Sequence, residues 1–120
     1  MILIEYPKCS TCQKAKKYLE ANSFPFETRD IVLNPPSKEE LEDYLKKSHK
    51  DIHTLFNTSG MKYRQLDLKN KLPKMTESDQ LKLLASDGML IKRPLLVTEN
   101  KVWIGFKEKE WSELNENNKM

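Results

Sequence analysis

Two cysteines lie three positions apart near the start of the chain, and the sequence has no others. Cys9 and Cys12 belong to the stretch YPKCSTCQKAKKYL, residues 6–19. A cysteine at the first turn of a helix is favoured as a thiolate, because free N–H groups and the positive end of the helix dipole lie there. Cys12 would follow one helical turn later on the same side, where it can attack an adduct formed on Cys9. The spacing predicts a redox-active disulfide pair with Cys9 as its nucleophile.

Two other uses of these thiols remain open at this stage. Cys12 falls on the apolar face of the predicted helix, so it could be only a small core residue. His49 and His53 are four positions apart, and together with the cysteines they could form a zinc site. The gap between the two pairs is much longer than in a zinc finger. We therefore favour the redox pair, expect surface histidines, and expect neither a metal nor a bound cofactor.

The predicted strands and helix around the cysteines indicate where the two thiols lie in the fold. ILIEY (2–6) is short, apolar and rich in β-branched residues, and Pro7 ends it, which predicts a buried strand. Apolar residues on one face predict a helix from Ser10 to Ala21. FPFETRDI (24–31) predicts a second strand. A strand, a helix and a strand within about thirty residues predict a right-handed βαβ unit with parallel strands.

The rest of the chain predicts a block of helices followed by a hairpin. Ser37 and Glu40 form a capping box that starts one helix, and Thr76 starts another. The predicted elements are that first helix within 34–48, a short helix in 51–57, a turn near Tyr63 to Leu66, a helix in 76–86, a hairpin over 93–106, a last helix in 107–114, and a frayed polar end in 115–120.

This order of elements is typical of a thioredoxin-like α/β fold. We expect a mixed four-stranded sheet flanked by helices, in a single domain that spans residues 1–120. A helical insertion, approximately residues 34–90, would separate the βαβ half from the C-terminal hairpin and helix.

The segment IKRPLLV, residues 91–97, contains a second candidate group. Pro94 opens a predicted strand, and X-Pro bonds are the peptide bonds that adopt the cis form. In a thioredoxin-like arrangement this proline lies beside the thiols, so the Arg93 guanidinium would bind an oxyanion or hold Cys9 ionised. Otherwise Arg93 is an ordinary surface charge. We expect Arg93, Pro94, Lys8 and Ser10 to bind substrate.

Composition and charge exclude several classes of function. The chain has 120 residues, 38% hydrophobic and 32% charged, with a net charge of +3. Acidic residues are interleaved with the lysines, so we expect no direct contact with nucleic acid. Three glycines are too few for a Gly-rich phosphate loop. The start MILIEYP has no pattern of a signal peptide or a membrane span, so we expect a cytoplasmic protein. In that reducing compartment a C-x-x-C pair is more often redox-active or metal-binding than structural.

With these motifs the chain resembles the arsenate reductase / Spx family, a glutaredoxin-related branch of the thioredoxin superfamily. The resemblance rests on YPKCSTCQKAKKYL, NPPSKEEL, FNTSG and LLASDGMLIKRPLLV, and it covers nearly the whole chain. It implies a thioredoxin-like sheet with a helical insertion. It also implies Cys9 as the nucleophile, Arg93 as its oxyanion or thiolate partner, and Pro94 as a cis proline.

The resemblance implies two functions, and the chain departs from the pattern of each. One-cysteine arsenate reductases of this family hold the oxyanion with three arginines, whereas Asn57 and Lys107 stand at the positions of the other two here. Spx uses a C-x-x-C switch and binds RNA polymerase, but the stretch KSHKDIHTLF (47–56) lacks the glycine with which Spx contacts the polymerase.

We therefore predict a thiol oxidoreductase of the arsenate reductase-like family that reduces a disulfide or a small oxyanion. An external thiol (glutathione, glutaredoxin or thioredoxin) would regenerate it. The alternative is an Spx-like redox-sensing regulator of transcription that binds RNA polymerase.

Overall fold

A four-stranded mixed sheet organises the molecule. The structure, a computed structural model, describes residues 1–117. The strands are β1 (Ile2–Glu5), β2 (Glu27–Asp30), β3 (Leu95–Val97) and β4 (Val102–Ile104), in the spatial order β2-β1-β3-β4. β1 pairs with β2 in parallel, and the β1–β3 and β3–β4 pairs are antiparallel. This arrangement, flanked by helices, confirms the predicted thioredoxin-like fold class.

The first half is the predicted βαβ unit. Helix α1 spans Ser10–Ala21 and connects the two parallel strands. Cys12, Ala15 and Leu19 form its buried stripe, which is the spacing that places side chains on one helical face. Ala15 and Leu19 pack in one hydrophobic cluster with Leu3 of β1. Because side chains alternate across a strand, the face of β1 that carries Leu3 is the face that α1 covers.

The segment between β2 and β3 is mostly helical, as predicted for the insertion. Ser37 and Glu40 form the expected capping box, and the Thr76 hydroxyl accepts from the backbone N–H of Asp79. The helices are α2 (Lys38–Ser48), α3 (Met61–Gln65), α4 (Leu68–Lys71) and α5 (Glu77–Ser86), with 3₁₀ turns at Ile52–Leu55, Leu72–Lys74 and Gly88–Leu90.

The expected turn near Tyr63 to Leu66 is wrong, because residues 61–74 contain helical segments throughout most of their length. Neither α3 nor α4 has a side-chain hydrogen bond at its N-cap, so the local signals for a helix are missing. Tyr63, Leu68 and Leu72 are instead buried in the cluster that α2 and α5 share with the sheet. Tertiary packing stabilises these short helices, since isolated helices of this length are not stable in water.

The C-terminal half consists of the predicted hairpin and two short helices. β3 and β4 are followed by α6 (Glu108–Trp111) and α7 (Glu113–Asn117). Trp111 is fully buried against the α1 side of the sheet. The expected frayed end begins inside α7, and residues 118–120 lie outside the described residues. Within residues 1–117, no helix combines the length and apolarity needed to cross a membrane.

Candidate active site

Cys9 lies where β1 ends and α1 begins. It is the N-cap residue of α1, with extended backbone angles (φ −88°, ψ 123°) and a partly exposed side chain. Its backbone N–H donates to the Tyr6 carbonyl at 2.9 Å, which closes the tight turn that Pro7 begins. The turn aims the Cys9 sulfur at the free backbone N–H groups of the first helical turn, which favour an anion.

These surroundings make Cys9 the more acidic thiol. Partial burial opposes its ionisation, but hydrogen bonds to its sulfur outweigh that effect and lower the pKa of Cys9 below its ordinary value. The donors are the backbone and thiol of Cys12, the backbone of Thr11 and the guanidinium of Arg93. Hydrogen bonding to the charged form is one of the general ways in which a protein lowers a pKa. Cys9 is therefore ionised to a greater extent than an ordinary cysteine at the same pH, and the thiolate is the nucleophilic form.

Cys12 lies beneath Cys9 and has the opposite character. Its side chain is fully buried, and both thiols are free. Burial is the main cause that raises the pKa of Cys12 to about 12, with smaller contributions from the Cys9 sulfur and the Glu5 carboxylate and against a hydrogen bond from the Tyr6 backbone. Cys12 is thus the less acidic thiol of the pair. It is both a core residue and a thiol in contact with Cys9, so its burial does not remove it from the chemistry.

Arg93 faces the same end of the sheet. The pairing of β1 with β3 brings it opposite Tyr6, and its guanidinium lies 5.1 Å from the centre of the Tyr6 ring. Nε and Nη1 of Arg93 are buried and have no hydrogen-bond partner among the described residues. The peptide bond between Arg93 and Pro94 is cis, as the resemblance implies. A half-buried guanidinium with two buried, unused donor atoms is suited to an anionic group.

A cleft of about 440 Å³ opens beside Cys9 and Arg93. Backbone hydrogen bonds tie its two walls together: the Asn57 N–H donates to the Leu90 carbonyl at 2.8 Å, and the Lys92 N–H donates to the Leu55 carbonyl at 2.7 Å. Among the described residues, those lining this cleft include no acidic side chain; they are Cys9, Thr11, Asn57, Ser59, Gly60, Met61, Lys62, Met89, Lys92 and Arg93. The site is therefore cationic.

The structure separates the other sequence-predicted residues. Lys8 and Ser10 are exposed and are not among the residues that line the cleft, so their role in substrate binding stays a prediction. Pro94 is buried behind Arg93. Asn57 lines the cleft, whereas Lys107 lines a neighbouring one together with Lys50, His53 and Lys92. The two positions that are arginines in the family's oxyanion site are thus in different clefts here.

Sequence reasoning missed several lining residues. Thr11, Ser59, Met61, Lys62 and Lys92 reach the cleft from three separate segments. The motif FNTSG carried part of the resemblance, and it could have indicated Ser59 and the glycine beside it. Gly60 packs tightly there, because an added Cβ would lie 2.7 Å from Nδ2 of Asn57.

The alternative zinc site is not assembled in this structure. His53 lines the neighbouring cleft and not the one beside Cys9. Among the side chains that the structure describes, no three of His, Cys, Asp or Glu are grouped so that they could hold a metal ion.

Comparison with known proteins shows the family. The model of the ArsC family matches residues 4–114, and the chain belongs to that family. It is similar to the uncharacterized protein YusI of Bacillus subtilis, with 56% identity over 90% of this chain and 92% of YusI. It is also similar to the global transcriptional regulator Spx of Streptococcus pyogenes, with 27% identity over 87% of this chain and 76% of Spx.

Solved structures agree with this assignment. A crystal structure of an ArsC-family-related protein from Bacteroides fragilis is 49% identical, with a TM-score of 0.92 over 94% of this chain and 95% of the other. A crystal structure described as a possible arsenate reductase, from Streptococcus mutans, is 43% identical, with a TM-score of 0.84 over 92% of this chain and 96% of the other.

Proposed function

We propose that this protein is a thiol-dependent oxidoreductase that reduces disulfides through the Cys9–Cys12 pair. The observation that carries the proposal is the pairing of two thiols with opposite properties. Cys9 is partly exposed and has a lowered pKa, while Cys12 is buried and has a raised pKa. An attacking thiolate next to a second thiol is the arrangement that thiol–disulfide exchange requires.

The reaction would proceed in two exchanges. The Cys9 thiolate attacks one sulfur of a disulfide RS–SR′, so a Cys9–SR bond forms and R′S⁻ leaves. Cys12 then loses its proton and attacks the Cys9 sulfur, which releases RS⁻ and forms the Cys9–Cys12 disulfide. The substrate gains two electrons and the protein pair loses two. The loop between the two cysteines is very short, so its closure restricts the chain little and the bond can turn over.

An external thiol would restore the reduced pair. We propose glutathione, a glutaredoxin or a thioredoxin as the reductant, with no bound cofactor. Reductants of this kind keep thiols reduced in the cytoplasm.

The cleft favours disulfides over arsenate as substrates. Arsenate has to be held before a thiolate can attack it, and positioning provides much of the rate of such reactions. Among the described residues that line the cleft, only Arg93 offers a guanidinium, because Asn57 is neutral and Lys107 lines the neighbouring cleft. A lysine ammonium also cannot replace the planar, bidentate geometry of a guanidinium. Disulfide exchange needs no such oxyanion clamp.

Steady-state kinetics would test this order of substrates. We expect kcat/KM for a glutathione mixed disulfide to exceed kcat/KM for arsenate, with a glutaredoxin or thioredoxin system to recycle the protein. The Cys9–Cys12 disulfide should also form under mild oxidant. The proposal is wrong if arsenate turnover is efficient and survives in Cys12→Ser, because that is the behaviour of a one-cysteine arsenate reductase.

A second function is favoured by the similarity to Spx, which is named a global transcriptional regulator. In this alternative the Cys9–Cys12 pair senses oxidants and the protein binds RNA polymerase. The segment 47–56 has no glycine in this chain, which counts against a polymerase contact of the kind that the resemblance implies.

A binding assay separates the two functions. Purified RNA polymerase would be immobilised and exposed to the protein with the pair reduced or oxidised, beside Cys9→Ser as a control. Saturable binding that changes with the redox state of the pair would favour the regulator. Disulfide reduction without detectable binding favours the oxidoreductase.

A further inference from the structure

The β1 strand ends in a buried carboxylate that the proposed reaction has not used. The side chain of Glu5 is 4% exposed, and its Oε1 lies 2.6 Å from Nζ of Lys16. Its other oxygen, Oε2, is buried and accepts no hydrogen bond from any described residue. A buried carboxylate oxygen without a hydrogen-bond partner lowers the stability of the folded protein. Because the rest of the strand is apolar, the loss of stability indicates that Glu5 has a function.

Strand and helix geometry place this carboxylate beside Cys12. Glu5 is two residues after Leu3, so its side chain is on the face of β1 that α1 covers. Lys16 is four residues after Cys12 on α1, and residues with that spacing are neighbours on one helical face. The Cys12 sulfur also accepts a hydrogen bond from the backbone of Tyr6, the residue after Glu5, and it experiences the charge of Glu5. We call Glu5, Lys16 and Cys12 the floor cluster.

We propose that Glu5 accepts the proton that Cys12 must lose when it attacks a mixed disulfide on Cys9. The inference rests on the proposed function, because it concerns the second exchange. In that step the Cys12 S–H bond breaks, the proton goes to Oε2 of Glu5, and the Cys12 sulfur forms the disulfide with Cys9 while RS⁻ leaves. In the reverse reaction Glu5 returns the proton to Cys12.

The step needs such an acceptor because Cys12 is almost wholly protonated at neutral pH. Hydroxide is scarce at that pH, and a buried thiol is poorly accessible to it. A positioned general base overcomes both obstacles. Lys16 orients the Glu5 carboxylate through Oε1 and leaves Oε2 unused. The charged residue opposite Glu5 on the neighbouring strand is Asp30, its register partner on β2.

Stopped-flow reaction with 5,5′-dithiobis(2-nitrobenzoate) resolves the two exchanges. Attack by Cys9 releases one coloured thiolate in a phase whose rate depends on the reagent concentration. Resolution by Cys12 releases the second thiolate in a phase that does not depend on it. Cys12→Ser should show the first phase alone, which assigns the second phase to Cys12.

For Glu5→Gln we expect the second phase to slow by about 10- to 100-fold at pH 7, because general bases typically contribute about a hundredfold or more. The rate of the first phase should be unchanged, because the attack by Cys9 does not require proton transfer to Glu5. The slowed phase should accelerate with rising pH until it approaches that of the parent protein, as hydroxide replaces the missing base. Glu20→Gln, on the exposed side of α1, is the matched control and should behave as the parent.

The double variant Glu5→Gln/Lys16→Gln guards against misfolding, because it removes the ion pair without leaving a buried charge alone. It should show the same loss in the second phase. The inference is overturned if the second phase keeps the parent's rate and pH profile in these variants, or if both phases slow together. If the parent itself shows no second phase, the proposed function fails instead.

Discussion

The cleft beside Cys9 and the floor cluster beneath it have opposite electrostatic effects on the two thiols. The cleft presents backbone N–H groups and the unpartnered donors of Arg93, and its described lining has no acidic side chain. It therefore stabilises negative charge on sulfur. The floor cluster contains a buried carboxylate and a buried thiol, and it keeps Cys12 neutral. The two cysteines are only three residues apart, yet their acidities differ. Cys9 faces the hydrogen-bond donors of the cleft, whereas Cys12 faces the hydrophobic core.

Removal of either thiol should give the largest effects and the clearest contrast. Cys9→Ser should lose all disulfide reduction, because no other described cysteine can attack. Cys12→Ser should still attack but stop at the mixed disulfide. Mass spectrometry of that trapped adduct from cell extract would identify the substrate. Full multiple-turnover activity in Cys12→Ser would show that the two thiols do not act as a pair.

The difference in acidity predicts different pH dependence for the two thiols. Cys9 should react with iodoacetamide at a rate that levels off below the pH at which a free thiol does so, because hydrogen bonds lower its pKa. Cys12, with a pKa near 12, should stay unmodified through neutral pH in the folded protein. Peptide mapping after timed alkylation measures both. If Cys9 titrates as an ordinary exposed thiol, the cleft does not lower its pKa and the proposed difference between the cleft and the floor cluster is wrong.

Arg93 is the cleft residue with the largest expected contribution after Cys9. Arg93→Ala should lower the rate of Cys9 alkylation and of disulfide reduction by about 100-fold, which is the lower end of the effect of removing one oxyanion donor in other enzymes. Arg93→Lys should recover little, since a point charge does not reproduce the fork. Circular dichroism would check the fold. Equal activity in both variants and the parent would show that Arg93 takes no part in the reaction.

Asn57 allows a gain-of-function test with a smaller expected effect. Asn57→Arg should raise kcat/KM for arsenate by about tenfold, because a second guanidinium would enter the cleft with Arg93. Lys107→Arg is the matched control and should change little, since that side chain lines the neighbouring cleft. An equal gain in both variants would show that the two clefts act as one oxyanion site.

Regular local patterns explain why much of the fold could be predicted. The capping box at Ser37 and the apolar stripe of α1 involve residues within one or two helical turns, and both appear as expected. The helical segments in 61–74 could not be predicted from such patterns. They lack side-chain N-caps, and burial of Tyr63 and Leu72 by distant elements stabilises them.

The candidate site divides in the same way. The sequence by itself determined the thiol pair, because the end of β1, the start of α1 and the spacing of Cys9 and Cys12 are all local. Only the tertiary structure decided what surrounds the pair. The pairing of β1 with β3 brings Arg93 to Tyr6. The hydrogen bonds between residues 55–57 and residues 90–92 form the cleft. Helix α1 packs over β1 and buries Glu5. Lys107 is directed to another cleft for the same reason: side chains far apart in sequence meet only where sheet order and helix packing bring them together.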